Sequence, residues 1–138
     1  MPLFIPNVGA SDALDYFTNR ATPEDLVLKL YTNDYTPVEG SVAGDFTEAS
    51  GSGYSPITLT GSSWGAPADL GGLGMIATYA AQRFTFSGSL GNVYGYYLVR
   101  SSSGVLAGAE RFSDGPYNIT ASGDYIEVTP SVGCSGIS

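Results

Sequence analysis

Gln82–Phe112, QRFTFSGSLGNVYGYYLVRSSSGVLAGAERF, alternates aromatic and β-branched runs with clusters of Gly, Ser and Asn. Strands favour the first group and tight turns the second, so the stretch predicts three consecutive strands, Arg83–Ser87, Val93–Arg100 and Val105–Phe112, arranged as a meander. The connection Ser101–Gly104 sets Arg100 opposite Val105 and, by direct pairing, Tyr96 opposite Ala109. Side chains alternate along a strand, so Tyr94, Tyr96, Leu98 and Arg100 share one side and Val93, Gly95, Tyr97 and Val99 the other. A strand apolar on both sides lies centrally, one side on the core and the other under a second layer, a loop or a partner. Gly95 and Gly108 leave room for Tyr97 or for an approaching backbone. Glu110 and Arg111 fall on opposite sides of their strand, one facing solvent and one paired across strands.

The 138 residues fit one domain, long enough to bury roughly two thirds of the unfolded surface without a staple. Nineteen Gly and ten Tyr against 13% charged residues describe a β-rich chain with many tight turns. A net charge of −8 repels phosphate backbones, so direct nucleic-acid binding is not expected. There is no His, which removes the commonest acid/base, triad and zinc-ligating residue. Cys134 has no intrachain partner and no His to activate it, so it reads as an incidental thiol in a reducing compartment. The start MPLFIPNVG lacks the basic and apolar regions of a signal peptide, and no run is long enough to span a bilayer, so neither export by that route nor a membrane partner is expected. No cofactor and no metal is expected.

Along the chain, residues 1–10 read as a proline-stiffened arm. Ser11 is the expected N-cap of a short helix, Ser11–Asn19, with Leu14 and Phe17 on its apolar face; Asp12 and Asp15 suit the helix start better than a metal site. LVLKLYTN at Leu26–Asn33 alternates as a strand, and further strands are expected at Asp45–Ala49, Tyr54–Thr60, Met75–Tyr79, Tyr117–Thr120 and Tyr125–Thr129. Trp64, the only tryptophan, either closes the end of a core or an interface or stacks on a sugar. Ala66–Gly74 reads as a loop, where Gly72 and Gly74 make half of a phosphate-binding pattern with no matching Lys or helix. Asn118–Thr120 is a glycosylation sequon without a secretory context. About seven to nine strands with regular turns give an all-β class: a single-domain antiparallel β-sandwich, jelly-roll-like, over residues 11–130, with one N-terminal helix and a Gly/Ser-rich tail at 131–138 too short to pack by itself.

Several pieces together resemble a family of small structural proteins of tailed bacteriophages: Asn7-Val8-Gly9, LKLYTNDYTP at Leu28–Pro37, FTEASGSGY at Phe46–Tyr54, SSWG at Ser62–Gly65, YAAQRFTFSG at Tyr79–Gly88, VYGYYLV at Val93–Val99, AERF at Ala109–Phe112 and IEVTP at Ile126–Pro130. The resemblance spans nearly the whole chain and its motifs are structural. It implies a non-enzymatic capsid decoration (cement) protein in the virion, assembled in the bacterial cytoplasm, bound to the major capsid protein on the outer shell and self-associating as a trimer. Such a protein grips by apolar and aromatic patches and by arms that order on docking. Leu3, Phe4, Ile5, Tyr94, Tyr96 and Trp64 are the expected partner-binding residues, and removing Met1–Pro6 is expected to weaken attachment while leaving the fold intact. Competing readings are a tail, baseplate or head–tail connector component, a carbohydrate-binding host-recognition module around Trp64, and a glycosidase using Asp124 and Glu127.

Overall fold

The computed structural model describes residues 3–72 and 74–134. One helix, α1 (Asn7–Phe17), precedes eleven strands: β1 (Leu26–Tyr31), β2 (Ile57–Leu59), β3 (Ala68–Asp69), β4 (Met75–Thr78), β5 (Gln82–Thr85), β6 (Gly91–Val93), β7 (Gly95–Arg100), β8 (Leu106–Arg111), β9 (Tyr117–Ile119), β10 (Tyr125–Val128) and β11 (Ser131–Cys134). All pairings are antiparallel. The largest sheet has the order β2-β1-β7-β8, and β10-β5, β11-β4-β3 and β6-β9 form three smaller sheets.

The alternation of β1 decides where the core lies. Leu28 and Leu30 point with Tyr96 and Leu98 of β7 into the main cluster, which Phe84, Phe86, Val93, Ile119, Ile126 and Val128 complete from the smaller sheets. The other side carries Tyr31, Tyr97, Val99 and Ala109, covered by Phe46 and Tyr35 from the loop after β1 and by Val8 of α1. Phe46 stacks on Tyr97 at 4.8 Å and meets Tyr31 edge-on at 4.9 Å. β7 is thus buried on both sides, as its doubly apolar pattern requires.

The meander holds for only one of its two joints. β7 and β8 pair, but β5 pairs with β10, and the chain passes through β6 before entering the large sheet. Phe84 and Phe86 reach the main cluster from β5 and the residue that follows it, outside the large sheet that carries Leu98. Register also departs from direct pairing. The main chain of Arg100 does meet Val105, yet a bulge between Leu98 and Val99 shifts the rest, setting Tyr97 opposite Ala109 and Tyr96 opposite Glu110. Tyr94 lies between β6 and β7, where alternation is interrupted; it packs on the outer cluster while Val93 enters the main one, the reverse of the expected sides.

The termini behave differently from arms. Phe4 exchanges both backbone hydrogen bonds with Ala109 at 2.9 Å, adding a bridge to the outer edge of β8, and Pro6 is fully buried. Leu3 packs where Gly108 has no side chain, and a Cβ on Gly108 would strike it. Residues 3–6 are therefore part of the folded body and not a free arm. The stretch 131–134, expected to be too short to pack by itself and placed outside the β domain, pairs with β4 as β11; residues 135–138 lie outside the described residues. Ala68–Asp69, expected as loop, also pairs with β4. The strand expected at Asp45–Ala49 is instead a short 3-10 turn at Ala43–Asp45 followed by a single bridge, Tyr31 to Glu48.

Helix α1 begins four residues earlier than Ser11, with Pro6 at the N-cap position. Its inward face is Val8, Gly9, Asp12 and Tyr16, spaced by helical turns. Gly9 permits this seating, because a Cβ there would collide with the carbonyl of Ala107. Leu14 and Phe17, three positions apart, point to solvent.

Candidate interaction surface

Arg100 at the end of β7 holds α1 in place. Its Nε lies 2.6 Å from the Asp12 carboxylate, Nη1 donates to the carbonyl of Glu24 at 3.1 Å, and the guanidinium sits 4.3 Å from the centre of the Tyr16 ring. Glu24 in turn accepts the backbone N–H groups of Ser102 and Ser103, which hold its carboxyl below the usual carboxylate range. Asp12 and Asp15 are both taken by arginines, Asp15 by Arg20 at 3.2 Å. With Asp12 and Tyr16 turned inward, the outer face of the helix presents Leu14 at 62% and Phe17 at 88% exposure. Single exposed apolar residues are ordinary, but a leucine and an aromatic three positions apart on one helix are neighbours on the same face.

The residues expected to bind a partner are divided among different environments. Leu3 and Trp64 are half-buried against the main cluster, with Trp64 edge-on to Tyr79 at 5.2 Å. Tyr96 is buried in that cluster, only 4% exposed, with its hydroxyl donating to Glu110 at 3.2 Å. Tyr94 is half-buried with the Arg111 guanidinium 5.2 Å from its ring, and Arg111 pairs with Asp34 at 2.6 Å. Ile5 is half-buried, and Phe4 is 38% exposed on the outer edge of β8. Gly95 makes room for Tyr31 and for the carbonyl of Glu110, not for Tyr97.

Two adjoining recesses lie on the side of the smaller sheets. The larger, about 600 Å³, is lined by Tyr117–Ile119 and Gly123–Glu127; the second, about 330 Å³, shares Tyr117 and Glu127 with it and adds Tyr96, Glu110, Phe112 and Asp114. Phe112 and Tyr117 rings stand 4.6 Å apart. Tyr117 donates its hydroxyl to Asp114, which with partial burial pushes the phenol up to about 12. Burial raises the Glu110 carboxyl, and the hydrogen bond from Tyr96 only partly opposes it. Asp124 accepts the N–H groups of Thr120 and Ala121, which hold its carboxyl low, and Glu127 pairs with Arg83 at 3.1 Å. Asp124 and Glu127 thus share a recess, but one caps a turn and the other holds an arginine. Among the described residues no three His, Cys, Asp or Glu side chains are grouped to hold a metal ion, and no helix is long and apolar enough to cross a membrane.

Each of the five cations, Arg20, Lys29, Arg83, Arg100 and Arg111, pairs with a different carboxylate. Of the thirteen acids, eight are left without such a pair. The i, i+3 spacing of Leu14 and Phe17 is legible in the sequence, but the direction they face is not; the inward stripe Val8, Asp12, Tyr16 becomes legible only once Arg100 is known to face it. Comparison with protein-family models, with curated proteins and with solved structures finds no match.

Proposed function

We propose that this chain is a non-enzymatic virion structural protein, a capsid decoration protein whose jelly-roll-like β-sandwich docks on the outer surface of the major capsid protein shell and associates there as a trimer. The observation that carries the reading is the Leu14–Phe17 strip. A helix clamped to a rigid β core presents an apolar face to solvent, the kind of surface that a docking protein covers on assembly. The phage-like motifs agree with a scaffold role. Val8-Gly9 seats the helix, LKLY and VYGYYLV form the paired central strands, AERF supplies the edge that receives Phe4, and IEVTP supplies β10 and the buried Pro130. The unpaired carboxylates give the exposed surface a negative charge that keeps decorated particles apart in solution.

Mixing the purified chain with undecorated shells and sedimenting them tests the docking. The parent chain is expected to co-sediment to saturation, and Leu14→Ser with Phe17→Ser is expected to remain in the supernatant while unfolding at the parent temperature. Equal occupancy by the two would remove α1 from the interface, and no occupancy by the parent would remove the capsid reading.

A further inference from the structure

β9 and β10 follow one another across the turn 120–124, a spacing at which antiparallel strands ordinarily pair with each other. Here they pair outward instead, β9 with β6 and β10 with β5, and among the described residues no ladder joins β9 to β10. The turn is held by bonds within it and by Phe86: Asp124 accepts from Thr120 at 2.9 Å and from Ala121 at 3.1 Å, and its N–H donates to the carbonyl of Ala121 at 3.2 Å. The Phe86 N–H donates to the Asp124 carbonyl at 2.8 Å, while the Phe86 carbonyl accepts from Gly123 at 2.9 Å. Ile119, Ile126 and Val128 remain anchored in the core. The two strands therefore flank the 600 Å³ recess without closing it.

An edge left open beside a recess is the arrangement into which an extended segment adds as a strand, backbone bonds giving affinity and flanking groups giving selectivity. The flanking groups here are anionic and aromatic. Glu110 and Asp114 in the adjoining recess accept hydrogen bonds from tyrosine hydroxyls and pair with no lysine or arginine, and the Phe112 and Tyr117 rings stand beside them. Carboxylates next to aromatic faces recognise ammonium and guanidinium groups. A second copy of this chain is a poor source of that cation, since all five of its own are engaged in pairs. The four residues of β10 set the reach, about 13 Å of extended chain.

We propose that the cleft between β9 and β10 binds an extended, lysine- or arginine-bearing segment of a partner protein, which adds as a strand between the two and delivers a cationic side chain to Glu110 and Asp114. This binding does not depend on the virion reading.

The probe is an acetylated, amidated hexapeptide alternating threonine and lysine, titrated into the ¹⁵N-labelled chain, with a threonine–glutamate hexapeptide and free lysine as comparisons. Shifts confined to 110–114, 117–119 and 125–128, with slowed amide exchange in the two strands, are expected from the lysine peptide, and weaker or no shifts from the other two. Glu110→Gln with Asp114→Asn is expected to weaken binding at least tenfold, whereas Glu39→Gln with Asp69→Asn, which removes the same charge elsewhere, is expected to leave it within twofold. No shifts, shifts spread over the acidic surface, equal binding of free lysine, or equal loss from both double variants would each overturn the proposal.

Discussion

The Arg100 guanidinium lies 2.6 Å from the Asp12 carboxylate, with their side chains only 15% and 13% exposed, so one arginine at the end of a central strand fixes the N-terminal helix across 88 positions of sequence. A pair so far withdrawn from water is screened little, and removing one partner leaves the other charge partly buried and uncompensated. Arg100→Met is expected to cost about 3 kcal/mol in urea unfolding and to release amide exchange in α1 before the strands. A change under about 0.5 kcal/mol with α1 still protected would contradict the clamp.

Gly95 is set by steric need. A Cβ there would meet the carbonyl of Glu110 in the paired strand β8 and the Tyr31 ring held inside the outer cluster. Gly95→Ala is expected to destabilise by about 2–3 kcal/mol, while Gly44→Ala, at a position open to solvent, is expected to change stability by less than about 0.5 kcal/mol. Equal effects in thermal unfolding would show that Tyr31 moves aside freely.

Removing residues 1–6 takes away the Phe4–Ala109 bridge, the Leu3 contact over Gly108 and the buried Pro6. The truncated chain is expected to melt several degrees lower, as a loss of a few kcal/mol in a chain of this length requires. An unchanged melting temperature would restore the picture of a dispensable arm.

Glu110 makes stability depend on pH. Its carboxyl is raised in the folded state by burial, so the unfolded chain releases that proton first as pH rises. The folded state is favoured by this group below the unfolded value near 4.3, and that advantage fades as pH passes through the higher folded value. Glu110→Gln is therefore expected to melt above the parent at neutral pH, with the gap closing as pH falls toward about 4. A gap that widens on acidification would contradict the assignment.

How far the sequence carries is seen element by element. β1 and β7 were legible because Leu26, Leu28 and Leu30, and Arg100, Leu98 and Tyr96 opposite them, recur at every second position over six residues. The bulge at Leu98 and Val99 was not, since it depends on how Arg100 and Val105 close the turn and leaves no mark in composition. The partner of β5 was equally hidden: alternation shows that Phe84 and Phe86 face a core, not from which layer. At the surface, Trp64 against the main cluster follows from its size, whereas the orientation of Leu14 and Phe17 was not legible because burying Asp12 and Tyr16 requires an arginine far away in sequence. The cleft beside β9 and β10 left no sequence signal, because adjacent strands with a turn between them read as a closed hairpin.

The central claim is that this chain coats a capsid. Quantitative mass spectrometry of purified virions, referenced to the major capsid protein and combined with an image reconstruction of the shell, tests it most directly. The expected result is a copy number comparable with that of the major capsid protein, with α1 facing the shell at repeated symmetry-related positions. A handful of copies confined to the tail or one vertex, or none in the particle, would contradict it.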